Sequence, residues 1–74
     1  MPARVIQKAF SVHTAAIHVT VEDDLGARTV HTIHVLEPDG SEADVAGIIA
    51  NALRQADQRA ERLRAAFQRH GWQG

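Results

Sequence analysis

The stretch Ser41–His70 reads SEADVAGIIANALRQADQRAERLRAAFQRH, and its periodicity decides the fold. Alternate steps of three and four from Ala46 reach Ile49, Leu53, Ala56, Ala60, Leu63, Phe67 and His70. All but the last are apolar, which is the seam of a helix packed along its length. The predicted helix therefore spans 41–70. Ser41 with Asp44 behind it is the expected N-cap, because a serine oxygen accepts an orphan amide hydrogen of the first turn. Gly71 stands where a left-handed C′ residue belongs, and Trp72 is placed to fold back as an apolar C-terminal contact. Acids at the start (Glu42, Asp44) and cations near the end (Arg64, Arg69) suit the helix dipole. Gly47 costs roughly 1 kcal/mol relative to alanine and is read as room for a strand to approach.

The seam changes character along its length. Val45, Ile48 and Ala52 widen the first half, so that Ile48, Ile49 and Leu53 are expected in the domain's own core. From Ala56 onward Arg59, Glu61, Arg62, Arg64 and Gln68 flank a narrow stripe. A narrow stripe suits a helix–helix contact better than burial under a sheet. Ala56, Arg59, Ala60, Arg62, Leu63 and Phe67 are therefore the candidate partner-binding residues.

Ahead of the helix, Val5–Glu22 is rich in β-branched and apolar residues and has no turn former before Asp23. It reads as one long strand, or as two with a bend near Ser11–Ala15. Its apolar face changes along the way, from Ile6, Phe10 and Val12 to Ile17, Val19 and Val21, which implies a bulge, bend or break. Asp23–Ala27 is a turn in which Gly26 supplies positive φ. Arg28–Leu36 is the next strand, and Glu37-Pro38-Asp39-Gly40 ends it. The expected register sets Val19 opposite Ile33, Ile17 opposite Val35, His18 opposite His34 and Thr20 opposite Thr32. The resulting fold class is α+β, a single domain over 1–74, in which an antiparallel hairpin or three-stranded sheet precedes one long helix.

Composition narrows the function. The chain has 74 residues, no cysteine and a net charge of -1. A domain this small buries a marginal core and has no disulfide to staple it. The cytoplasm is the expected compartment, since no apolar run reaches membrane-spanning length and no signal-peptide plan is present. Pro2 is the residue type that tautomerases use as a base, but those enzymes run strand–helix–strand, and here the hairpin comes first. His31 and His34 fall on opposite faces of a strand, and His18 with His34 makes only half a zinc site. There is no nucleophile elbow, phosphate loop or dinucleotide fingerprint. Neither an enzyme nor a cofactor or metal is expected.

Geometry points to association. A helix over 41–70 rises roughly 45 Å at about 1.5 Å per residue, whereas the strand over 28–36 extends only about 30 Å. A second copy, as a two-fold dimer, or a larger protein is expected to cover the apolar overhang. The expectation is a non-catalytic interaction module, of accessory, assembly or inhibitor type. In size and plan alone, without a motif, the chain is similar to compact accessory proteins of phage and mobile elements. The alternative is a nucleic-acid-binding regulator that uses Arg54, Arg59, Arg62, Arg64 and Arg69 against phosphates.

Overall fold

The computed structural model describes residues 2–72, so the expected domain is described except at residue 1 and residues 73–74. Three strands, β1 (Arg4–Ser11), β2 (Ala16–Glu22) and β3 (Arg28–His34), precede one helix, α1 (Val45–Arg69). The strands form an antiparallel sheet in the order β1-β2-β3. The fold is thus the expected α+β arrangement, with helix on sheet.

The Val5–Glu22 stretch is two strands. The chain turns at 12–15, where the Ala15 amide donates to the Val12 carbonyl (3.3 Å) and Ala15 adopts φ 50°. A second irregularity lies inside β1. Val5 pairs with Val21 and Gln7 with Thr20, so Ile6 is an extra, bulged residue. The turn accounts for the change of apolar face between Phe10 and Ile17, which lie opposite each other, and the bulge adds a second change inside β1. Val5 faces the helix before it, and Lys8 and Phe10 face that way after it, opposite Val19 and Ile17.

The β2–β3 register differs from expectation by two residues. Ile17 pairs with Ile33, His18 with Thr32, Val19 with His31 and Thr20 with Val30. An even shift keeps every side chain on its face, so the apolar pattern cannot choose between the two. The turn chooses. Asp23 Oδ1 accepts hydrogen bonds from the amides of Leu25 and Ala27, both at 2.9 Å, and the Asp23 amide donates to the Ala27 carbonyl at 2.9 Å. That closure sets Glu22 opposite Arg28, and Arg4 lies opposite Glu22 on the other side. Glu22 accepts from Arg4 Nη2 at 2.8 Å and from Arg28 Nε at 3.0 Å. Opposite charges directly across strands favour this register. β3 also ends two residues early, and Leu36 forms only an isolated bridge with Glu42.

The helix begins later than expected. Its N-cap is Asp44, whose Oδ1 accepts from the Gly47 amide at 3.0 Å. Ser41 lies in the preceding turn, where its amide and hydroxyl both donate to Asp39 Oδ1, at 2.9 and 2.6 Å. Gly47 makes room for its own cap: a Cβ there would collide with the Asp44 carboxylate. The C-terminus is as expected. Gly71 has φ 94°, its amide donates to the Gln68 carbonyl (3.2 Å), and the Trp72 amide donates to the Phe67 carbonyl (2.8 Å). These bonds are the Schellman pattern, and Phe67 and Trp72 supply its apolar contact with rings edge-on at 5.5 Å.

The core lies between the helix and the sheet. Val19 and Val21 are each 1% exposed, with Ala3 and Ile33 beside them. Val45, Ile49, Leu53 and Ala56 pack against this cluster from the helix. Ile48 is a correction: it is half-exposed, and Ala52 is buried on the inward face instead. The Ala3 amide donates to Asp57 Oδ1 at 2.6 Å and pins the start of the chain to the middle of the helix.

Candidate interaction surface

The helix runs from the Leu36 end of the sheet towards the β2–β3 turn. At that turn Arg64 is hydrogen-bonded to Asp24, and Arg59 Nη1 lies 3.9 Å from Asp23 Oδ2. The acidic turn thus sits under two of the later arginines. Beyond Arg64 the helix passes the sheet. Its 25 residues rise about 37 Å, while the seven residues of β2 extend about 23 Å.

These contacts sort the candidate partner-binding residues. Ala56 is half-buried against the core, and Ala60 is 2% exposed beside Asp24 and Arg64. Arg59 and Arg62 are exposed, and Leu63 is half-buried. Phe67 is 43% exposed despite its contact with Trp72. The open apolar patch on the helix therefore starts at Leu63 and includes Phe67 and Trp72. Of the five arginines, Arg59 and Arg64 face the turn acids and Arg54 donates to Asn51 Oδ1 at 3.2 Å. The remaining two, Arg62 and Arg69, make no ion pair among the described residues.

A second open surface carries no candidate from the sequence. The helix packs on β2 and β3 and leaves β1 largely uncovered. In β1 and the turn after it, Ile6 is partly exposed, Phe10 is 75% exposed and Val12 91% exposed. A third lies at the helix start, where Ile33, Leu36, Ala43 and Ile48 help line an open hollow of about 490 Å³. The signal for β1 was present in the sequence. One helix is about 10 Å across, whereas three strands at about 4.8 Å spacing form a wider sheet.

Chemical groups are dispersed. His18 Nδ1 lies 3.1 Å from Thr32 Oγ1, and His34 sits opposite Ala16, so the expected His18–His34 pair does not form. Among the described residues no three His, Asp or Glu side chains come together to hold a metal ion. No described helix is long and apolar enough to cross a membrane. The Arg4 hydrogen bond, and then that of Arg28, hold the Glu22 carboxyl below its ordinary value of 4.5. The Ser41 hydroxyl and amide do the same for Asp39.

No family model matches the chain, and no curated protein or solved structure matches it.

Proposed function

We propose that the chain is a non-catalytic protein-interaction module that self-associates and docks on a larger protein as an accessory, assembly or inhibitor component in the cytoplasm. The observation behind this reading is its surplus surface. The chain exposes 5423 Å². A folded monomer of 8.1 kDa is expected to expose about 4500 Å². Its radius of gyration is 15.2 Å, against about 11 Å for a compact domain of this length. Its extents are 50 × 19 × 17 Å. The surplus of roughly 900 Å² is close to the share of about 800 Å² that each partner contributes to a standard interface. Phe10, Val12, Phe67 and Trp72 lie within that surface, so association would remove large apolar side chains from water.

The two surfaces suggest a division of labour. The uncovered sheet edge is suited to a second copy, and the Leu63–Phe67–Trp72 end of the helix to the larger protein. Sedimentation equilibrium tests self-association: a chain that is folded yet sediments at 8.1 kDa up to high micromolar concentration contradicts the reading. The nucleic-acid alternative has less support, because Arg59 and Arg64 face the turn acids.

A further inference from the structure

β1 is an edge strand that exposes Ile6 and Phe10, while the helix packs on the other two strands. We infer that two copies of this chain join through β1, antiparallel and centred on Ala9, so that two three-stranded sheets become one continuous six-stranded sheet. This rests on the self-association proposed above and adds which surface and which register.

The surplus area argues for a second copy as occupant, and so does the self-complementarity of the strand. From Gln7 to Ser11 the strand is regular. Gln7, Ala9 and Ser11 lie on the open face with Thr20, His18 and Ala16, while Lys8 and Phe10 lie on the helix face with Val19 and Ile17. Residues directly opposite in an antiparallel pair share a face. A two-fold pairing of this segment must therefore centre on a residue, not between two.

The possible centres are few. Centring on Lys8 sets two ammonium groups directly opposite each other, which is destabilising. Centring on Gln7 draws the Ile6 bulge into the ladder and opposes Ala9 to Val5, which lies on the other face. Centring on Phe10 leaves only Ala9–Ser11 paired within the strand. Centring on Ala9 pairs the whole regular segment. Gln7 then meets Ser11 of the partner subunit, and Lys8 meets the partner's Phe10. Ile6 comes alongside the partner's Val12. The exposed Phe10 ring gains the aliphatic stem and charge of a lysine. The bulge and the lysine are features that blunt an edge against indiscriminate pairing. Here they reject the competing registers and leave one.

β3 is the other edge, and it is a poorer candidate. The helix packs on it, and Ile33 on its inward face is buried. Pairing through β3 would leave Phe10 and Val12 in water.

The chain has no cysteine, so a single introduced thiol reports unambiguously. Ala9→Cys places two thiols across the two-fold axis. Opposed Cα atoms in an antiparallel pair are about 4.5–5.5 Å apart, within the roughly 4.4–6.8 Å that a disulfide spans. Under mild oxidation Ala9→Cys should form a covalent dimer at least about tenfold faster than Val30→Cys on β3, because pairing raises the effective thiol concentration. A mixture of Gln7→Cys and Ser11→Cys should yield the mixed disulfide in preference to either homodimer. These positions are exposed or half-buried on the surface, and circular dichroism checks that each variant is folded. If Ala9→Cys does not fold, the Gln7/Ser11 mixture decides alone. Wild type is weighed in parallel by light scattering. A dimeric wild type with no advantage at position 9, or faster linking at position 30, overturns this interface and leaves self-association standing. A folded wild-type monomer overturns both.

Discussion

Replacing Asp23 by alanine removes the acceptor that closes the β2–β3 turn. Asp23 is buried at 9% exposure, and its Oδ1 takes two backbone amides, from Leu25 and Ala27. A hydrogen bond to a charged group contributes about 1.5–3 kcal/mol, and the net loss is smaller where water can replace the acceptor. Both bonds are only partly buried, so Asp23→Ala is expected to cost about 2–3 kcal/mol. The whole domain is expected to be stable by about 4–11 kcal/mol at this length, so the loss is a large share of it. Asp23→Asn keeps an oxygen acceptor and should cost about 1 kcal/mol. Arg59→Ala is a control: its guanidinium is largely exposed and 3.9 Å from Asp23, so it should cost below about 0.5 kcal/mol. The assay is urea unfolding at one fixed protein concentration. With a slope near 1 kcal/mol/M, the Asp23→Ala midpoint should fall by about 2 M. An alanine variant within about 0.5 kcal/mol of wild type would refute the claim that this side chain closes the turn and chooses the register.

Other consequences can be measured in the same way. Asp44→Ala should cost about 1 kcal/mol as a lost N-cap. Gly47→Ala should be near neutral alone, since its helix propensity gain of about 1 kcal/mol is offset by the displaced cap, and should recover that gain once Asp44 is alanine. Additive effects in that double-mutant cycle would contradict the cap geometry. Glu22 has a folded-state pKa below 4.5 because of Arg4 and Arg28, so its contribution is present above 4.5 and is lost as pH falls through the lower, folded value. Glu22→Gln should therefore be less stable than wild type at neutral pH and equal to it in strong acid; a deficit that persists in acid would exclude the ion pairs as its cause. Arg59→Glu with Arg62→Glu should leave any binding to duplex DNA or RNA at moderate salt unchanged, and a salt-sensitive shift that these changes abolish would favour the nucleic-acid alternative.

The helix and its end were legible because local chemistry dictates them. Gly71 and Trp72 follow the seam in the order that a Schellman end requires, and the structure has that end. The start was not, because Ser41 and Asp44 are both good caps. What separates them is the turn before the helix: the Glu37 amide donates to the Ser41 carbonyl at 2.8 Å, and Ser41 itself binds Asp39, which holds 37–41 as a turn. The strands were legible from alternation, but a register shift of two leaves alternation intact. Choosing it needed the Glu22–Arg28 charges and the Asp23 turn to be read together. That register also brings the acidic turn beneath Arg59 and Arg64 and helps cover Ala60, so the open part of the seam begins at Leu63, about two turns later than the sequence suggests. In β1 the sequence marks an apolar stretch that outruns its partner, but not which of its residues lie open. Phe10 and Val12 look like core residues until the helix is seen to cover mainly the other two strands.

The central claim is that the surplus surface is covered by a second copy. Light scattering on wild type and Phe10→Lys, both checked as folded by circular dichroism, tests it most directly. The account predicts twice the 8.1 kDa chain mass for wild type and the single-chain mass for Phe10→Lys, which sets like charges directly opposite each other across the strand pair. A folded wild type that stays at the single-chain mass up to high micromolar concentration would contradict it.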